Sequence, residues 1–137
     1  MRRRKLVVVC VWTAGVAALV YGVLSFLCWI DISRCETTQR QLFGFKGMVS
    51  IWSGVHGKLP GPRLEDAVKA VDIFRRERGE EGLDQLCPWI VRNRDAWGHP
   101  FVYELKDGGR KMIMRSLGSN GVDDNGTKDD IQVELSL

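Results

Sequence analysis

Histidine occurs only twice in the 137 residues, as His56 and His99, and cysteine only four times. That leaves little material for catalysis. A Cys87–His99 nucleophile pair would have no orienting third group, and its spacing matches no defensible mechanism. Cys35, His56, Cys87 and His99 show none of the close pairing of zinc sites. No enzyme is expected. Cys10 and Cys28 fall in an apolar run, so Cys35 and Cys87 are the only pair outside it. They leave two readings open: a disulfide closing a long loop, or two thiols.

Charge is missing altogether from the 25 residues Leu6–Ile30. About 20 such residues cross a hydrocarbon core of ~30 Å, so this run suffices with some tilt. It is too long for the apolar part of a cleaved secretory signal. Cys28-Trp29-Ile30-Asp31 also offers no small-x-small cleavage site. Trp12, Tyr21 and Trp29 are amphipathic, and Trp29 stands next to Asp31, where an interfacial belt residue belongs. A broad basic surface is lacking too. The formal net charge is +3, but without Arg2, Arg3, Arg4 and Lys5 the 20 Lys and Arg fall to 16, against 17 Asp and Glu. No nucleic-acid partner is expected. The basic cluster should stay cytoplasmic and place the C-terminal portion across the membrane. The expected organisation is a cytoplasmic tail at 1–5, a transmembrane helix at 6–30 and an extracytoplasmic domain at 31–137.

Beyond the apolar run, Ser33 to Val55 is expected to continue as helix. Leu42, Phe45, Val49 and Trp52 recur at intervals of three and four and form one apolar stripe. Gly44, Gly47 and Gly54 weaken it, so the stripe needs a surface to pack on. His56 to Pro62 stops this helix, and a second starts near Pro62. Leu64, Ala67, Val68, Val71 and Phe74 line one face of it. Glu65 and Asp66 open it, and Arg75, Arg76 and Arg78 close it, as the helix dipole favours. Glu80 to Arg94 reads as irregular with one short apolar turn, Leu83, Leu86, Trp89 and Ile90.

Two alternating strands, Phe101–Lys106 and Lys111–Ser116, are joined across Asp107-Gly108-Gly109-Arg110, a strong hairpin signal. A third follows, with Ile131, Val133, Leu135 and Leu137 on one face and Gln132, Glu134 and Ser136 on the other. Between the last two strands lie the 14 residues Leu117–Asp130, where Val122 is the only apolar side chain after Leu117. Structureless loops of that length are uncommon in compact domains and are usually functional or disordered. This one carries Asp123, Asp124, Asp129 and Asp130, with Asn120 and Asn125 between them. Crowded carboxylates repel unless a cation lies among them, and oxygen ligands on a glycine-rich backbone suit Ca2+. A solvated acidic turn is the competing reading.

Three local patterns resemble, in order, those of pseudopilins, specifically the C-terminal domain of the G-type major pseudopilin of type II secretion systems. Trp52-Ser-Gly-Val-His-Gly57-Lys58-Leu59-Pro60 is similar to the family's helix-ending Tyr-x-x-x-Asn-Gly-x-Tyr-Pro. Asp95-Ala-Trp97-Gly98-His99-Pro100-Phe101-Val-Tyr103 is similar to its Asp-Pro-Trp-Gly-Asn-Pro-Tyr-x-Tyr. Ser116-Leu117-Gly118-Ser-Asn120-Gly121, followed by Asp129-Asp130-Ile131, resembles its Ser-Leu-Gly-Ala-Asp-Gly loop ending in an acidic pair and Ile. The resemblance covers roughly Arg34 to Ile131. It implies an α+β, pilin-like fold: an N-terminal transmembrane helix continuing into a long helix packed on a small antiparallel β-sheet. It also implies Ca2+ in the loop before the last strand, held by the Leu117 carbonyl, Asp129 and Asp130. Asn120 stands where the family has an Asp, and Asp123 or Asp124 would assist. The implied role is a structural component of a secretion or pilus-type system, in the inner membrane with its domain in the periplasm. Other pseudopilins, secretion-machine components or further copies of the chain are the implied partners. The N-terminus departs from the family. Arg2-Arg3-Arg4-Lys5 runs straight into Leu6, without a Gly-Phe/Met processing site or a Glu at the fifth mature position. The only Gly-Phe, Gly44-Phe45, lies downstream with no apolar run after it. The alternative is an anchored extracytoplasmic domain of the same fold that binds a partner and never polymerises.

Overall fold

In the computed structural model, residues 15–137 are described in full and 2–14 only as part of the first helix. The basic tail at 1–5 and the start of the apolar span, Leu6 onward to residue 14, therefore lie outside the described residues. The chain is α+β. It divides into two units, Met1–Ser33 and Arg34–Leu137, where the sequence suggested a boundary at Ile30/Asp31.

Helix α1 spans Arg2–His56. No proline occurs before Pro60, so nothing interrupts its hydrogen-bond ladder. Among the described residues it is the one helix long and apolar enough to cross a membrane, and its most apolar stretch has no buried residue. It ends where Gly57 takes φ +67°, with the Gly57 N–H donating to Ser53 O at 2.8 Å. That left-handed closing residue is the usual role of a glycine just past a helix.

In the Arg34–Leu137 unit, the stripe expected from sequence is buried: Leu42, Phe45 and Val49 are fully enclosed, and Trp52 nearly so. Helix α2, Leu64–Glu77, contributes Leu64, Ala67 and Val71 to the same core, with Val68 and Phe74 packed at its edge. His56 joins the two helices. Its ring stacks on Trp52 at 4.0 Å and meets Phe74 edge-on at 5.6 Å. The segment read as irregular forms two single-turn helices, α3 (Leu83–Leu86) and α4 (Pro88–Val91). Leu83 and Ile90 are buried while Leu86 is exposed. Asp72 organises α3 by accepting the Leu83 N–H at 2.8 Å, a long-range contact that no local pattern encodes.

The sheet holds β1 (Val102–Lys106), β2 (Lys111–Ser116) and β3 (Ile131–Ser136), antiparallel in the order β1-β2-β3. Register places Tyr103, Met114 and Val133 side by side, and likewise Leu105, Met112 and Leu135. All six belong to the apolar core. The opposite face carries Glu104, Arg115, Gln132 and Glu134, as strand alternation requires. Tyr103 reaches past the sheet, its hydroxyl 3.1 Å from Pro60 O, and burial pushes that hydroxyl's pKa up to about 12.

Cys35 and Cys87 are not bridged; both are free thiols, Cys35 exposed and Cys87 buried. The geometry explains it. Cys87 Sγ lies 3.8 Å from Gln41 O and against Gly44. Gln41 is six residues beyond Cys35 on α1, roughly 9 Å along the axis at about 1.5 Å per residue. Disulfide Cα atoms lie no more than ~7 Å apart. Burial raises the Cys87 thiol pKa to about 11, leaving almost no thiolate at neutral pH. An alkylating reagent is expected to modify Cys35 in the folded protein and Cys87 only after denaturation. A bridged Cys35–Cys87 peptide under non-reducing conditions would overturn this.

Candidate metal centre

The loop from Leu117 to Asp130 has one apolar side chain after Leu117, the exposed Val122, and is held by a dense set of polar bonds. Its two ends are clasped at Gly118, which takes φ +60°. A Cβ there would lie 2.3 Å from Asp129 O, so only glycine lets the two ends of the loop approach. Asp129 completes the clasp. Its Oδ2 accepts the Ser119 hydroxyl and the Asn120 N–H, each at 2.9 Å, and its Oδ1 accepts Asn120 Nδ2 at 2.8 Å. Asp130 folds the second half of the loop, its Oδ2 accepting the N–H groups of Asp124 at 2.8 Å and Gly126 at 3.0 Å.

Carboxylate oxygens of Asp124, Asp129 and Asp130 lie within 4.8 Å of one another, and this triad could hold a metal ion. The remaining expected ligands divide. Asn120 belongs to the cluster, its Nδ2 also donating to Asp124 Oδ2 at 3.1 Å. Its Oδ1 accepts the Val122 N–H at 2.7 Å. The Leu117 carbonyl accepts the Gly121 N–H at 3.2 Å, inside the turn that carries Asn120. Asp123 faces elsewhere. Its Oδ2 sits 3.0 Å from the guanidinium of Arg115, on the outer face of the sheet. Of the two candidates for an assisting ligand, the fold therefore brings Asp124 to the triad and commits Asp123 to Arg115.

The charges in the loop are only partly compensated. The Arg115 guanidinium hydrogen-bonded to Asp123 holds that carboxyl below its usual range. Lys128, 2.9 Å from Asp124, does the same there, with help from Asn120. Asp129 is lowered chiefly by the Asn120 backbone N–H. Asp123, Asp124 and Asp129 are thus ionised at neutral pH, and beyond Lys128 no cationic side chain among the described residues is paired with the triad. Asp130 carries the most informative atom: its Oδ1 is buried and has no hydrogen-bond partner among the described residues. A buried acceptor left unmade costs free energy unless water or an ion completes it. The donor set is hard oxygen, which suits divalent cations of the Mg2+ and Ca2+ type.

Four residues that shape this site carry no loop signature in the sequence. Arg115 is buried, and it also bonds Glu104 at 3.3 Å. Its place opposite the Met112-Met114 face follows from alternation, although its partner does not. Lys128 follows Asp124 by four residues. His99 Nδ1 lies 2.9 Å from Gly118 O, and its ring closes against Gly121. Asp95, with its side chain fully buried, accepts the Ser116 hydroxyl at 2.6 Å. It also accepts the N–H groups of Trp97 at 3.0 Å and His99 at 2.8 Å. The Trp-Gly-His-Pro turn is thereby tied to the start of the acidic loop. No family model, no curated protein and no solved structure matches the chain.

Proposed function

We propose that the protein is a membrane-anchored, pseudopilin-like structural component of a type II secretion or pilus-type system, with Ca2+ bound in the loop between β2 and β3. The observation that carries this reading is the convergence of Asp124, Asp129 and Asp130 just before the last strand of a small antiparallel sheet, in a chain that begins with an apolar helix. That is the place where the resembled family holds Ca2+. The Asp130 Oδ1 left without a partner adds a reason internal to this chain. On this reading the N-terminus is cytoplasmic, the anchor sits in the inner membrane, and the Arg34–Leu137 unit faces the periplasm. There it would meet other pseudopilins, machine components or further copies of itself.

A second reading is favoured by one feature of the sequence. Arg2-Arg3-Arg4-Lys5 leads directly into Leu6 with no processing site between them. An anchored domain of the same fold that binds a partner without polymerising needs no such site. The discriminating experiment is the mass of the N-terminal peptide from native membranes, combined with a reporter fused after Leu137. A processed N-terminus supports the filament-type component, and an intact Met1 supports the non-polymerising anchor. Reporter activity in the cytoplasm would overturn both, since each requires the domain outside.

A further inference from the structure

The acidic loop contains two Asn-Gly steps, Asn120-Gly121 and Asn125-Gly126. Asparagine is chemically labile at such steps, because a following residue without Cβ lets its backbone nitrogen reach the side-chain carbonyl. We propose that Asn125 is a site of spontaneous deamidation and that the folded loop protects Asn120, so that the loop gains a fifth carboxylate with age.

The two asparagines differ in how they are held. Asn120 makes three side-chain bonds: Nδ2 to Asp124 at 3.1 Å, Nδ2 to Asp129 at 2.8 Å, and Oδ1 from the Val122 N–H at 2.7 Å. All three would have to break before its Cγ could swing onto Gly121 N. The Gly121 N–H is also bonded, donating to the Leu117 carbonyl at 3.2 Å. Asn125 is exposed at a loop position with φ +58°. Its side-chain amide has no partner among the described residues, so its carboxamide turns freely. The Gly126 N–H donates to Asp130 Oδ2 at 3.0 Å, the one bond that must be released before this nitrogen can attack.

The step balances with water alone. The Gly126 nitrogen gives up its proton and uses its electron pair to form a bond to Asn125 Cγ. The Cγ–Nδ2 bond breaks, and ammonia leaves with the transferred proton. Water then opens the cyclic imide at either carbonyl, giving aspartate or isoaspartate, and nothing is oxidised or reduced. Aspartate adds a charge beside Asp123 and Asp124. Isoaspartate also lengthens the backbone between Asp124 and Gly126, the two residues whose N–H groups Asp130 holds.

The test is ageing of the full chain in detergent micelles at mildly alkaline pH, followed by peptide mapping with fragment ions that separate the two asparagines. The expected result is the deamidation mass gain at Asn125 ahead of Asn120, with the two rates converging in denaturant. Asn125→Gln should abolish the early gain. Equal rates in the folded protein, no conversion at Asn125, or a preference that persists in denaturant would each overturn the proposal.

Discussion

Replacing Asp95 by Ala is expected to destabilise the Arg34–Leu137 unit by roughly 3–5 kcal/mol, a large share of the stability of an ordinary domain. The side chain is inaccessible to solvent and its two oxygens accept three donors, Trp97 N–H, His99 N–H and Ser116 Oγ–H. Ala removes the acceptor of all three donors, the Ser116 hydroxyl in a buried place and the two backbone N–H groups in a partly buried one, and each lost bond costs about 1–3 kcal/mol, not additively. The damage should spread beyond the turn. The Ala96 N–H next to it donates to Thr38 Oγ1, itself fully buried on α1. Ser116 Oγ in turn accepts the Gly118 N–H at the entrance of the acidic loop. Asp95→Asn keeps one oxygen for the two backbone donors and disturbs only the Ser116 bond, so about 1–2 kcal/mol is expected for it. Urea unfolding of a fragment beginning at Arg34 reads both values. A loss below ~1 kcal/mol for Asp95→Ala would mean that the turn is held by its backbone alone.

What the sequence made legible follows from the range of each signal. The strands declared themselves because alternation is local: Tyr103, Leu105, Met112 and Met114 point inward in both the pattern and the structure. The α1 stripe was equally plain, since Leu42, Phe45, Val49 and Trp52 share a face at helical spacing. The turns at 83–91 were not read as helices because a single turn has too few residues to show a period. Their shape is imposed by Asp72 and by the core that receives Leu83 and Ile90. The open question at Cys35 and Cys87 turned on how far apart the fold places them, which composition does not report. Within the candidate site, the loop and its acids were legible from charge density and glycine content. Which acid faces inward was not. Asp123 and Asp124 are adjacent and chemically identical, and they are sorted by partners that appear after folding: Arg115 on β2 for the first, Asn120 and Lys128 for the second.

That sorting sets the terms of the Ca2+ prediction. If Asp124, Asp129 and Asp130 receive a cation, Ca2+ at ~100 times its dissociation constant should stabilise the folded unit by about 2.7 kcal/mol, provided the unfolded chain does not bind it. The melting temperature of the fragment beginning at Arg34 should therefore be higher in millimolar Ca2+ than in chelator. Ca2+ is expected to act more strongly than Mg2+, because the loop supplies irregularly placed carboxylate oxygens and Mg2+ demands a near-ideal octahedron. Asp129→Ala and Asp130→Ala should remove the difference, and Asp124→Ala should reduce it. Asp123→Ala should leave the Ca2+ increment in place while lowering the baseline, since Asp123 serves Arg115. Asn120→Asp should enlarge the increment by adding a carboxylate where an amide now bridges Asp124 and Asp129. Acid gives an independent check with a fixed sign. The carboxyls of Asp124 and Asp129 sit below the ordinary aspartate value of 3.8, so their contribution is complete above that pH and disappears as pH falls through the lowered folded values. Protons compete for the same oxygens, so the Ca2+ increment should vanish in that acidic window as well. Identical melting curves with and without Ca2+ at neutral pH would show that the hydrogen bonds of Asp129 and Asp130 hold the loop unaided, and that Asp130 Oδ1 is completed by water.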